Sequence, residues 1–326
     1  MNDYDVAVVG AGPVGSTFAR LAAEKGLSVA IFEKKKEVGI PLQCAGLLGR
    51  KIKDVNILPE EVILNEIYGA CLYSPSNTMV YMRRKKEPLA YVLDRIAYDK
   101  FLSQLAVENG AKLFLNHNIT KVDTKNGEIY QGDKKISAEV IVGADGPSSI
   151  VSKEFSNKSK FVHAAQYLID IGENSFDEDY FKVNVNSEIS PGFIWTIPLS
   201  KSTARVGLFA NYDYKNLTGI LNKFIETNEK LKNAKILKKY YGKIPLYDSK
   251  KKVVKDRTIL IGDSASQVKP TTGGGLIIGF KCAKIASEIV YEAIDSNNMN
   301  ILKNYQKKYK KMYKNELSMQ LKVQNT

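Results

Sequence analysis

Y-D-V-A-V-V-G-A-G-P-V-G, residues 4–15, is the stretch that decides the fold. Tyr4 to Val9 reads as a buried strand, and Gly10 to Gly15 as a Gly-rich turn. Residues 16–25 are helix-forming, with small residues to face a sheet, and Gly26 stops them. Residues 28–32 (S-V-A-I-F) make the next strand, which ends at Glu33. This is a β-α-β unit carrying G-x-G-x-x-G. Gly10 permits the tight turn, Gly12 lets the backbone approach a pyrophosphate, and Gly15 lets helix and strand pack closely. The helix N-terminus turns free N–H groups toward phosphate. Glu33 accepts hydrogen bonds from ribose hydroxyls and repels a 2′-phosphate. The fingerprint alone does not separate NAD from FAD.

Working outward, residues 34–60 are loop-rich, and 96–109 form an amphipathic helix. A buried strand at 138–143 leads into A-D-G-P. Short apolar runs at 166–171, 179–185, 193–197 and 204–209 predict an inserted antiparallel sheet. A helix follows at 216–231. A strand at 257–262 returns to the first domain, a long helix spans 275–294, and a Lys-rich helix covers 299–322. The expected class is α/β with an α+β insert. Residues 1–160 and 250–298 form a discontinuous Rossmann-like domain whose loop-rich part is 34–95. Residues 161–249 form the inserted sheet, and 299–326 a basic amphipathic tail.

Composition narrows the function classes. The 326 residues are 44% apolar, too many for a disordered chain, and none of the runs suits a membrane span. The net charge is +13, but 41 of the 48 basic residues are Lys and 7 are Arg. Nucleic-acid readers favour Arg, so no nucleic-acid partner is expected. Cys44, Cys71 and Cys282 form no C-x-x-C pair, so no metal site is expected. Their odd number, and an N-terminus that runs straight into a strand, predict a cytoplasmic protein. His117 and His163 lack a ligand pattern and read as structural or surface residues.

Two further segments carry a resemblance. They are V-G-A-D-G-P-S at 142–148 and I-G-D-S-A-S-Q-V-K-P-T-T-G-G-G at 261–275. With the fingerprint, their order resembles the FAD-dependent oxidoreductases shaped like p-hydroxybenzoate hydroxylase, and within these the geranylgeranyl reductases. The resemblance runs over roughly residues 3–320. It implies FAD as cofactor, with Asp263 at the ribityl chain and Gly274, Gly275 and Leu276 at the flavin pyrimidine edge. A helix N-terminus there stabilises the negative charge of reduced flavin. P-L-Q-C-A-G at 41–46 is similar to the family's Cys-Ala-Gly loop, which implies Cys44 beside flavin and substrate. V-L-D-R at 92–95 implies Arg95 near the FAD phosphates. P-G-F-I-W-T-I-P at 191–198 is similar to the family's aromatic motif and implies Phe193 and Trp195 as prenyl-cavity lining. The same resemblance carries Val14, Ala45, Leu47 and Val122 as cofactor contacts. Read without it, Cys44 is a small buried apolar residue, Arg95 a surface ion-pair partner, and the Phe193–Trp195 stripe ordinary core.

The implied activity is reduction of isoprenoid double bonds in a prenylated membrane-lipid precursor, with Cys44, or a water it positions, as acid. Electrons would come from NAD(P)H or a ferredoxin-like protein, because the sequence holds no second dinucleotide fingerprint. The chain departs from the family at Ile197, where an aromatic is usual, at Lys269 before Pro270, and in a shorter C-terminal segment. Two other readings stand beside it. A flavin monooxygenase or halogenase is one, since F-I-W-T-I-P differs from W-x-W-x-I-P at its first aromatic. A flavin-binding membrane-surface protein is the other. Ile301, Leu302, Tyr305, Tyr309, Met312, Tyr313 and Leu317 fall near helical spacing, and Lys303, Lys307, Lys310, Lys311 and Lys314 fill much of the rest. Such a helix either lies on anionic lipid, placing the protein peripherally on the inner face of the membrane, or docks on the protein with a solvated face.

Overall fold

The computed structural model describes residues 2–157, 160–172 and 175–324. The ends of the expected first domain and tail, residue 1 and residues 325–326, lie outside the described residues. The chain opens with β1 (Tyr4–Val9), α1 (Pro13–Ala23), β2 (Val29–Phe32), β3 (Leu47–Gly49), β4 (Ile63–Ile67), β5 (Gly69–Tyr73), β6 (Met79–Arg83) and β7 (Ala90–Leu93). It continues through α2 (Arg95–Glu108), β8 (Lys112–Phe114), β9 (Lys121–Asp123), β10 (Glu128–Gln131), β11 (Lys134–Gly143) and α3 (Ile150–Lys153). Then come β12 (Phe161–Asp170), β13 (Tyr180–Asn184), β14 (Ile194–Pro198), β15 (Thr203–Ala210), α4 (Tyr214–Thr227) and β16 (Lys235–Pro245). The last elements are β17 (Val254–Lys255), β18 (Thr258–Leu260), α5 (Leu276–Asp295) and α6 (Lys303–Gln324).

Two compact units emerge. The first joins Met1–Ile40, Ile96–Lys160 and Pro245–Thr326. Its sheet runs β17-β18-β11-β1-β2-β8, with β9 and β10 attached to β11. β18, β11, β1, β2 and β8 are mutually parallel. They are rich in Val, Ile and Leu because both sheet faces are covered. From β1 the order grows one way through β2 and the other way through β11. That is a topological switch point, and its crevice opens beyond the carboxyl ends of the strands. The Gly10–Gly15 turn, Ala144–Asp145 and Gly262–Asp263 all lie at that edge, each just past its own strand.

The second unit joins Pro41–Arg95 and Phe161–Ile244. Its seven-stranded sheet has the order β16-β12-β15-β14-β13-β5-β6, beside a three-stranded sheet β3-β7-β4. α4 lays Leu217, Leu221 and Ile225 against Tyr167, Ile169, Val206 and Leu208 to make its core. The expected insert strands appear as β12 to β15. Residues 41–95, which the sequence grouped with the nucleotide domain, fall in this unit instead. The reason is β5, which pairs in parallel with β13 from Gly69↔Tyr180 to Tyr73↔Asn184. A five-residue strand with Gly and Ala in it carries too little alternation to be seen locally.

The tail also departs from its membrane reading. Leu302, Tyr305, Tyr309, Tyr313 and Leu317 are buried, and α6 packs its apolar stripe within the first unit. Met312 of the expected stripe is the exception, exposed on the solvated side that the lysines line.

Candidate functional site

In the first unit, the nucleotide cradle is made mostly of backbone. Gly10 has φ +103, and a Cβ on it would lie 2.5 Å from the Ala144 carbonyl oxygen. A Cβ on Gly15 would overlap the Gly10 carbonyl oxygen. Both glycines are therefore required by the protein itself. Gly12 is different, since a Cβ there meets nothing within 4 Å. It is the N-cap of α1 and has no side chain to cap the helix. The open space and unclaimed first-turn N–H groups suit a pyrophosphate. Glu33 is buried, its Oε2 accepting from Ala11 N at 2.9 Å and its Oε1 from Lys35 N at 3.0 Å. Its carboxylate is thus held at the strand end, where a ribose would be read.

The other motifs converge on the same sheet edge. Asp263 lies in a 3₁₀ turn, and its Oδ1 would be 3.2 Å from a Cβ on Gly275. Gly275 caps α5 without a side-chain bond, so a second helix N-terminus is left open next to Gly274 and Leu276. Val14 sits between the two halves of the cradle. A Cβ on Gly279 would lie 2.5 Å from Val14 Cγ2, and one on Gly262 would touch the same side chain at 3.3 Å. Val14 thus spaces α1 against α5. Val122 is buried in β9, opposite Ile129 of β10. Asp145 is half-buried. Its Oδ2 accepts from Ile150 N at 2.7 Å, while its Oδ1 has no hydrogen-bond partner. Burial pushes its carboxyl above the usual carboxylate range.

Two supports of this loop were not visible from motifs. Gln267 accepts from Gly262 N at 2.7 Å and donates to Tyr305 Oη at 2.8 Å. Thr271 Oγ1 donates to Gln320 Oε1 at 3.2 Å. The Lys-rich helix α6 is therefore a backboard for the Asp263–Gly275 loop. Lys251 is the other support. It is 5% exposed and donates to Ser266 Oγ at 3.0 Å. Burial pushes its ammonium down to about 8, against the pull of Asp248, Asp145 and Asp263.

In the second unit, the C-A-G loop is held by long side chains. Cys44 is half-buried, and its Sγ accepts from Gly46 N at 3.4 Å. Gly46 has φ +78, and a Cβ on it would overlap the Arg205 guanidinium. Arg205, on β15, is 5% exposed and donates from Nη1 to the carbonyls of Ala45 and Leu93, both at 3.0 Å. Burial lowers its pKa from the ordinary value, and Cys44, Tyr240 and Asp94 oppose that shift. Leu47 opens β3 opposite Val92. Arg95 is 7% exposed, so it is buried rather than a surface residue.

The aromatic motif serves the same loop. Trp195 is buried on β14, and its indole N–H donates to Gln166 Oε1 at 3.0 Å. That fixes the amide, so Gln166 Nε2 faces the Cys44 carbonyl at 3.4 Å. Gln166, Gly207 and Trp195 occupy one row across β12, β15 and β14. A Cβ on Gly207 would lie 2.5 Å from the indole, so the glycine lets the ring lean across to Gln166. Phe193 is half-buried and packs on Trp195 and Phe209. Sequence reasoning missed Gln166 and Arg205. Each is a buried polar residue flanked on both sides by apolar neighbours in its strand, and that is the signal that marks it. His117 and His163 are structural, their Nδ1 atoms donating to the Leu115 and Tyr212 carbonyls at 2.8 and 2.9 Å.

Comparison with known proteins fits this arrangement. The family model described as lycopene cyclase protein matches residues 5–323. The digeranylgeranylglycerophospholipid reductase of Methanosarcina acetivorans is 32% identical, over 99% of this chain and 84% of that one. The crystal structure of a geranylgeranyl bacteriochlorophyll reductase-like protein from Thermoplasma acidophilum aligns with a TM-score of 0.89 at 27% identity, covering 99% and 87% of the two chains. A flavin-dependent brominase aligns at TM-score 0.75 and 18% identity, over 94% and 85%, a likeness of fold alone. The chain belongs to the digeranylgeranylglycerophospholipid reductase family.

Proposed function

We propose that this protein is an FAD-dependent reductase that saturates carbon–carbon double bonds in the geranylgeranyl chains of a membrane-lipid precursor. The observation that carries the reading is the 32% identity to a digeranylgeranylglycerophospholipid reductase across 99% of the chain. The cradle supports it. Gly12 leaves room where a pyrophosphate would lie, Glu33 presents its carboxylate to a ribose, and two uncapped helix N-termini face the same sheet edge. FAD, when bound, supplies the hydride equivalent, drawn in turn from NAD(P)H or a ferredoxin-like protein. Glu33, Asp263, Arg95, Gly274, Gly275 and Leu276 are the residues assigned to hold it, with Val14, Ala45, Leu47 and Val122 as further contacts.

An isolated alkene is a poor hydride acceptor, so a proton must reach one carbon as hydride reaches the other. Cys44 Sγ, or a water it holds, is assigned that proton. Arg205 and Gln166 fix the loop carrying it, which limits the wandering of the donor atom. Trp195 acts in this reading through Gln166, with Phe193 left as the aromatic nearest to a prenyl-lining role.

The test begins with the absorption spectrum of the purified protein. Flavin bands are expected, and a colourless protein that FAD cannot reconstitute overturns the reading. Dithionite-reduced protein is then incubated with a geranylgeranylated glycerolipid and the lipid followed by mass spectrometry. Steps of +2 Da are expected. Cys44→Ser is expected to retain flavin and its reducibility while losing those steps; full activity in that variant removes Cys44 from its role.

A further inference from the structure

The last strand of the seven-stranded sheet is β6, paired with β5 on one side and with no strand on the other among the described residues. Its sequence is Met79-Val80-Tyr81-Met82-Arg83, and every residue is exposed, from 48% at Met82 to 61% at Val80. Sheet edges of this kind invite association, and proteins commonly defend them with charge. The opposite edge strand, β16, is defended in that way by Lys235, Lys238, Lys239 and Lys243. β6 carries four uncharged residues in a row on both of its faces.

The order of chemistry along the hairpin is specific. At the tip, Ser74-Pro75-Ser76-Asn77-Thr78 has no charge and bonds to itself. Ser74 N donates to Thr78 O at 2.9 Å, Asn77 N to Ser74 O at 2.9 Å, and Thr78 N to Ser74 Oγ at 3.1 Å. Next come the apolar rungs Tyr73↔Met79, Leu72↔Val80, Cys71↔Tyr81 and Ala70↔Met82. At the base stand Arg83, Arg84, Lys85 and Lys86. From Met79 to Met82 is about 10 Å of strand, within the depth of an interfacial element in a bilayer. The nearby acids are already in use: Asp179 pairs with Arg83 at 3.3 Å, and Glu87 with Arg50 at 2.8 Å and Arg84 at 3.5 Å. Lys85 and Lys86 have no carboxylate partner among the described residues.

We propose that the β5–β6 hairpin docks the protein on an anionic membrane surface, with Met79 to Met82 among the acyl chains and Arg83 to Lys86 at the phosphate level. Charge decides the occupant. Anionic lipid neutralises Lys85 and Lys86, whereas a second copy of β6 brings two more such lysines, its acids Asp179 and Glu87 being already in use. The self-bonded tip lowers the cost of leaving water. Tyr81, whose hydroxyl bonds to that of Tyr180, is an aromatic of the kind that settles at the interface. The proposal is independent of the reductase reading, because vesicle binding is read without turnover.

The full chain is floated with vesicles of phosphatidylcholine alone or with a third phosphatidylglycerol, at low and high salt. Binding to the anionic vesicles is expected, weakened at high salt. Lys85→Gln with Lys86→Gln is expected to weaken it about thirty-fold. Met79→Ser with Val80→Ser is expected to abolish it, with the thermal melt unchanged. Lys307→Gln with Lys311→Gln, on α6, is expected to bind as the parent does. In Val80→Trp, brominated lipid is expected to quench the added fluorescence. Failure of the parent chain to float, equal flotation of the hairpin variants, or an unquenched Trp overturns the proposal. So does a dimer that the hairpin variants convert to monomer, since the edge would then serve a second copy.

Discussion

The nucleotide cradle and the Cys44 loop solve the same problem, holding a loop still, by opposite means. The cradle is a backbone device. Gly10, Gly15 and Gly279 leave no room for a Cβ at close backbone or Val14 contacts, and one sheet edge gathers the pieces. The Cys44 loop is a side-chain device. Arg205 reaches across to two carbonyls, and Trp195 holds Gln166 against a third. A backbone device tolerates few substitutions at fixed spacing, and so it writes itself into sequence. A side-chain device is assembled from residues 44, 93, 166, 195 and 205, which are neighbours only once the sheet has formed.

The same contrast sets what was legible. The β-α-β unit, the later strand at 138–143 and the G-D loop could be read locally because each is a short contiguous signal. The place of residues 41–95 could not, because it depends on parallel pairing between β5 and β13, 111 residues apart at Gly69 and Tyr180. The role of Trp195 was hidden for a similar reason. Alternation said which face it is on, but only the row Gln166–Gly207–Trp195 says what its N–H does. The tail was ambiguous because a docked amphipathic helix and a membrane-bound one share a pattern. Its buried Tyr305 bond to Gln267 decides between them.

The largest effect should come from separating the glycines that fold the cradle from the one that leaves space. Gly12 has φ −66 and ψ 171, open to any residue, and no neighbour for a Cβ. Gly12→Val is therefore expected to melt within about 2 °C of the parent, since surface-like substitutions cost little. Its FAD affinity is expected to fall at least about a hundred-fold, or ~2.7 kcal/mol. Gly15→Ala should do the reverse first, losing about 1–3 kcal/mol of stability by overpacking against Gly10. Calorimetry with a flavin titration reads both. Equal loss of stability in the two variants would break the division.

Next is Arg205→Met. Two buried carbonyls lose their donor, at about 1–3 kcal/mol each, partly offset by no longer burying a charge. The expected net loss is about 3 kcal/mol in denaturant unfolding. Cys44 should also react with iodoacetamide about ten times faster at fixed pH, as a loosened loop opens more often. Cys71 and Cys282 are buried and will not obscure the rate. Trp195→Phe should move both readouts in the same direction by about a third as much, through one unpaired Gln166 oxygen. Unchanged labelling in both variants would mean the loop holds itself.

The smallest effect tests where the comparison is least clean. Lys251 is a side-chain device inside the backbone-built unit. Its ammonium is pushed down to about 8, from an ordinary 10.5, and burial is the largest cause. The unfolded chain therefore binds a proton that the folded chain lacks between these two values. Stability contributed by this group rises with pH across that window and is lost as pH falls through about 8. Such a shift is worth about 3 kcal/mol, and the bond to Ser266 returns about 1. Lys251→Met should thus be about 2 kcal/mol more stable than the parent at pH 7, and the gap should close by pH 10.5. If the variant is instead less stable at pH 7, the ammonium is held by Asp145 and Asp263 more strongly than burial penalises it. The cradle would then depend on a buried charge network as much as on its glycines.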